Sequence, residues 1–250
     1  MLLRTLTAGL ACTLLLAGCE RQKDEAFEGQ VRAYLLAHPE VLQEAAVKLR
    51  QKRALAAAGA LKRAQARLER DPRDLVANPD GGVTVVQFFD YRDTYCRAVA
   101  PEVLKLIAEN PDVRFVFKEH PVFGSASDAA AKAALTPQGK AKGLELYRSL
   151  MSLKTLTDAR LDTAIRAAGL NPQEVREAMG ERAITQQIAD TRALAAEIQV
   201  KGTPTFVVGG QMIQGADVDQ LRQAIKRAKS MSYQALADAP AMSTLPAAPR

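Results

Sequence analysis

The order of its β-rich runs constrains this chain more than any other feature. Val83-Thr84-Val85-Val86-Gln87-Phe88-Phe89 is apolar and β-branched over one strand's length, which predicts a strand buried on both faces. Val113-Arg114-Phe115-Val116-Phe117 predicts a second strand. Between them, Asp93 to about Glu109 reads as a helix, with Pro101 expected to kink it. A helix between two strands permits a parallel βαβ unit. Thr205-Phe206-Val207-Val208 and Gln211-Met212-Ile213 flank Gly209-Gly210, the turn chemistry of a two-residue hairpin. A last helix is expected from about Asp217 to Lys229. Ser125 to Glu197 reads as several helices, broken near Pro137, Gly169 and Asn171-Pro172. The pattern is α/β: a mixed sheet with helices packed on it and an inserted helical block at about 125–197.

The ends of the chain carry different information. Arg4 precedes an apolar stretch from Ala8 to Leu16, which is too short to span a bilayer. It runs into Leu16-Ala17-Gly18-Cys19, which resembles a bacterial lipobox. Residues 1–18 are therefore expected to be a lipoprotein signal peptide, with Cys19 lipidated as a membrane anchor. Export places the remainder where disulfides persist, in the periplasm-facing cell envelope. Glu20 to Glu25 reads as a polar tether. Phe27, Val31, Tyr34 and Leu35 have helical spacing, and a second helix follows His38-Pro39-Glu40. From Ala45 to Leu68 there are seven Lys or Arg and no acid. That run is either a solvated face or a contact with an anionic membrane. The thin apolar stripe of these helices needs a partner, either the main domain or another copy of the chain, and residues 26–70 are expected to hold a homo-oligomer contact. Asp71-Pro72-Arg73-Asp74 and Asn78-Pro79-Asp80-Gly81-Gly82 are turns that close a segment 19–75 and open the main domain, 83–229. Residues 230–250 are rich in Ala, Pro and Ser and are expected to be disordered.

Composition narrows the function classes. The net charge is +6, and removing residues 1–18 leaves +5. That is mild, and without an aromatic RNA-binding pattern or Cys/His finger spacing no nucleic-acid partner is expected. Cys12 leaves with the signal and Cys19 is consumed by lipid. Cys96 is then the one free thiol of the exported chain, so no intramolecular disulfide can form in it. No cofactor and no metal site is expected.

Phe88-Phe89-Asp90-Tyr91-Arg92-Asp93-Thr94-Tyr95-Cys96, followed by Pro101, resembles the active-site segment of DsbA-like thioredoxin-fold proteins. Lys118-Glu119-His120-Pro121-Val122-Phe123-Gly124 resembles the family's segment after the second strand. Gly202-Thr203-Pro204-Thr205-Phe206-Val207 resembles the loop that carries its cis-proline. Val31 to Leu42 looks like the N-terminal segment of the ScsC-type subgroup, which is associated with copper tolerance and disulfide shuffling. The resemblance implies a thioredoxin fold and a family of protein thiol-disulfide oxidoreductases. It also implies substrate contacts at Tyr95, Thr203 and Pro204.

The departure lies in the redox motif. The family carries Cys-x-x-Cys at a helix N-terminus, where unpaired N–H groups and the helix dipole favour a thiolate. They lower a thiol pKa from about 8.5 to roughly 3.5–7.5. Here Asp93 stands at the first position and Cys96 at the second. A carboxylate cannot attack a disulfide, but Asp is a favoured helix cap. The reading is an exported family member that binds polypeptide or envelope proteins without efficient dithiol exchange. Two alternatives stay open: monothiol exchange through Cys96, and a copper-tolerance-related envelope protein.

Overall fold

The computed structural model describes residues 25–237. They fall into two compact units, divided between Ala56 and Ala57. In the first unit, helix α1 (25–37) and the start of α2 (Glu40–Glu69) are separated at His38-Pro39. Tyr34 packs on the His38 ring, while Phe27, Val31, Tyr34 and Leu36 are exposed.

The second unit holds a five-stranded sheet, β1 (Leu75–Ala77), β2 (Val83–Phe89), β3 (Val113–Glu119), β4 (Thr205–Val208) and β5 (Gln211–Gln214), in the order β1-β3-β2-β4-β5. Strands β2 and β3 are parallel, joined by α3 (Thr94–Glu109) as a βαβ crossover. Every other pairing is antiparallel. The inserted block comprises α4 (Ser125–Leu135), α5 (Pro137–Ala141), α6 (Gly143–Met151), α7 (Asp158–Ala167), α8 (Pro172–Ala178) and α9 (Arg182–Glu197). Helix α10 (Val218–Ala237) closes the described chain. Gly209 and Gly210 both adopt positive φ, as the two-residue β4–β5 turn requires.

Burial explains the strand sequences. Val83, Val85 and Phe89 face one core with α3, α6, α7 and α10, whereas Val86 and Phe88 face a second with α2 and α9. A strand covered on both sides reads as a continuous apolar run. On β3 the two-residue period puts Val113, Phe115 and Phe117 in the first core and Val116 in the second. Arg114 and Lys118, on the Val116 side, end α2: the Arg114 guanidinium donates to the Glu69 carbonyl and the Lys118 ammonium to the Arg67 carbonyl. Those carbonyls are among the unpaired acceptors of a helix C-terminus. Lys118 is also paired with Asp74, and both side chains are buried.

Three expectations need correction. Leu61, Ala64 and Leu68 are buried against the sheet, so residues 57–75, counted above with the N-terminal segment, belong to the second unit. Burying each of the two leucines is worth about 1.5–3 kcal/mol. Leu75–Ala77, which lies between the two expected turns and was given no element, forms an edge strand against β3 because Phe115, Val116 and Phe117 offer it an antiparallel ladder. The last helix continues past Lys229 to Ala237, so the stretch expected to be disordered starts as helix. Pro101 lies inside α3 without ending it. The expected signal peptide at 1–18, Cys19 and residues 238–250 lie outside the described residues.

Candidate functional site

Asp93 ends the β2–α3 loop and caps the helix. Its backbone is extended, at φ −66° and ψ 124°, and Tyr95 N–H donates to its Oδ1 at 2.8 Å. The other carboxylate oxygen accepts the Thr203 hydroxyl, which crosses from the loop before β4. Asp93 is 5% exposed, and both of its oxygens are engaged. Pairing of Phe88 with Thr205 across β2 and β4 brings this loop beside the helix start. The Thr203–Pro204 peptide is cis.

Cys96 lies one turn into α3 and is 0% exposed, packed in the first core. Burial pushes its thiol pKa well up, and the Asp93 carboxylate adds to the rise. Hydrogen bonding from the Asp90 backbone and the Thr203 side chain opposes them without prevailing. The helix N-terminus thus exists, but its negative charge is supplied by a carboxylate and the thiol below stays protonated.

An open groove of about 770 Å³ lies over the helix start. Asp93, Tyr95 and Thr203 line it, whereas Cys96 and Pro204 are not among its walls. Of the five residues expected to form a redox and substrate site, three therefore border the groove; Cys96 and Pro204 are buried. Tyr95, Val122 and Phe123 form an exposed apolar rim.

Four side chains near the groove, Asp90, Tyr91, Glu119 and His120, were given no role from the sequence. Asp90 is 1% exposed and accepts from Arg92 N–H at 2.7 Å, Val122 N–H at 2.7 Å, Phe123 N–H at 3.1 Å and Ser127 Oγ at 2.8 Å. It fixes the loop after β3 against the loop after β2. Tyr91 donates to Glu119 Oε1 at 2.8 Å. Burial pushes the Glu119 carboxyl well above the usual range, and the Tyr91 hydrogen bond opposes this. His120 borders the groove; burial lowers its pKa, and Arg192 lowers it further. All four stand inside the motifs at 88–96 and 118–124. The signal for Asp90 was its place two residues before a backbone N–H in a turn, the pattern of an Asx turn. Among the described residues no group of three or more His, Cys, Asp or Glu side chains is gathered as metal ligands.

A family model of the DSBA-like thioredoxin domain matches residues 84–226, more than half of the chain. The chain belongs to the DSBA-like thioredoxin family. Within this family it carries a second match, at residues 22–56, to the copper resistance protein ScsC N-terminal domain. A thioredoxin-like oxidoreductase from Silicibacter pomeroyi DSS-3 is 36% identical, with a TM-score of 0.63 over 66% of this chain and 97% of that one. BcfH of Salmonella enterica Typhimurium is 30% identical, with a TM-score of 0.66 over 86% and 99%. ScsC of Proteus mirabilis in a transitional conformation is 26% identical, with a TM-score of 0.64 over 84% and 99%. The curated relatives are longer. The Na(+)/H(+) antiporter NhaA 3 of Salinispora tropica is 31% identical over 168 residues, which are 63% of this chain and 25% of that protein. The chain thus spans about a quarter of the curated relatives it matches, and ion transport is said of those proteins alone. The DSBA-like and ScsC N-terminal matches agree with these solved structures of ScsC and of a thioredoxin-like oxidoreductase.

Proposed function

We propose that this DSBA-like protein binds an extended polypeptide segment in the envelope and does not carry out efficient dithiol exchange. One observation carries the reading. The position at which the family motif holds its attacking thiol is a buried carboxylate, spent on capping α3 and on the Thr203 hydroxyl. The groove beside it keeps an apolar rim and does not depend on a thiol.

The test is insulin reduction and dithiothreitol-coupled refolding with the exported chain, beside an Asp93→Cys variant. The expected result is negligible turnover by the native chain and a clear gain with Cys at position 93. Turnover by the native chain at the rate of a two-thiol relative refutes the reading. Monothiol exchange through Cys96 has burial and the raised thiol pKa against it. The copper-tolerance alternative is checked by Cu(I) uptake, for which the purified chain is expected to show none.

Two further parts belong to this proposal. Lipidation at Cys19 would hold the chain on the periplasm-facing side of a membrane, and a Cys19→Ala variant should then appear in the soluble fraction. The exposed Phe27, Val31, Tyr34 and Leu36 support self-association through the first unit. Deleting residues 20–56 should shift the light-scattering mass to a monomer. Extending the cut to residue 70 would remove core side chains and confuse the result.

A further inference from the structure

The groove has a charge preference as well as an apolar rim. Arg92 and Lys201 both line it and both are exposed. Neither is in an ion pair among the described residues. The Arg92 guanidinium donates to the Phe123 carbonyl, which holds it at the wall carrying the exposed Phe123 ring. Guanidinium offers five donors in a fixed fork, so one bond to a carbonyl leaves several for a carboxylate. Lys201 lines the groove from the segment that leads to Thr203.

The acid in the groove does not cancel them. Asp93 is 5% exposed and its oxygens already accept from Tyr95 N–H and Thr203 Oγ. Its charge stays on the floor of the groove, while the charges that a bound chain can touch are the two cations. His120 is held toward its neutral form by burial and by Arg192.

From this geometry we infer that the groove selects extended peptide segments in which an apolar side chain is flanked by a Glu or Asp side chain. The apolar residue packs on Tyr95, Val122 and Phe123, and the carboxylate lies between Arg92 and Lys201. The inference rests on the peptide-binding reading above and specifies its substrate class. A solvent-exposed charge pair at the rim of an apolar contact contributes specificity more than raw affinity.

The experiment is fluorescence polarisation on the full exported chain with labelled, C-terminally amidated twelve-residue peptides. Their central triplets are Glu-Phe-Leu, Gln-Phe-Leu, Lys-Phe-Leu and Glu-Ser-Ser. Glu-Phe-Leu is expected to bind about 5–10-fold tighter than Gln-Phe-Leu in low salt, with the advantage shrinking in 0.5 M NaCl. Lys-Phe-Leu and Glu-Ser-Ser are expected to bind weakest. An Arg92→Gln/Lys201→Gln double variant with an unchanged thermal midpoint should bind the Glu and Gln peptides alike. Equal binding of those two peptides by the native chain overturns the charge preference and leaves peptide binding standing. Failure of all four peptides to bind overturns both.

Discussion

Asp93 is the residue at which structure and chemistry can be separated by substitution. Asp93→Ala removes the cap on Tyr95 N–H, worth about 1 kcal/mol. It also removes the acceptor for Thr203 Oγ, and a hydrogen bond to a charged group is worth about 1.5–3 kcal/mol. The side chain is buried, so solvent screening reduces neither contribution by much. The expected loss is about 2–4 kcal/mol, a large share of a typical domain's stability. With a urea slope of about 2 kcal/mol per M, the midpoint should fall by about 1–2 M. Asp93→Asn keeps the Oδ1 acceptor and can take the Thr203 hydroxyl into a rearranged bond, so its loss should stay within about 1 kcal/mol. Urea unfolding followed by circular dichroism measures all three proteins, with unchanged slopes as the check on two-state behaviour. An Ala variant within 0.5 kcal/mol of the native chain would refute the cap as the reason for a carboxylate here.

Other outcomes follow from the same geometry. Lys118→Met should cost about 3–5 kcal/mol at pH 7.5, because it leaves Asp74 buried without its cation, and a Lys118→Met/Asp74→Asn double variant should recover most of it; a double variant as weak as the single one refutes the pairing argument. Native Cys96 should resist a maleimide for hours and react fully in urea; fast labelling of the folded chain refutes its burial. His120 has a folded pKa below its unfolded value of about 6.5, so the unfolded chain takes up its proton first. Its contribution to stability is therefore complete above that value and declines as the pH falls through it. Asp74, raised to about 6 chiefly by burial, and Glu119, also raised, act in the opposite sense as the pH falls below their folded values. The difference in thermal midpoint between native and His120→Gln chains isolates the histidine and should narrow from pH 7.5 to pH 5; a constant difference refutes the assignment.

Much of the fold was legible because its signals are local. The β-branched run at 83–89 and the Gly209-Gly210 turn have their cause in a few adjacent residues, and the structure places strands and a hairpin there. The helical insertion, expected at about 125–197, occupies Ser125 to Glu197. Leu75–Ala77 was not legible, since a three-residue edge strand has too little periodicity to register and exists through its ladder with β3. The attachment of α2's second half was hidden for a related reason. Leu61, Ala64 and Leu68 have the spacing of any thin apolar stripe, and only the presence of β2, β3 and α9 says which surface covers them.

The chain by itself determined the order of its four longer strands and the helices between them, the carboxylate at position 93 and a solitary thiol downstream of Cys19. Those are properties of residue type and near-neighbour spacing. The tertiary structure alone decided that Cys96 is sealed in the core, that the second oxygen of the Asp93 carboxylate accepts a hydroxyl 110 residues away, and that Arg92 and Lys201 share one groove. Each of these depends on surfaces meeting across the sheet, and no local pattern encodes which distant residue arrives.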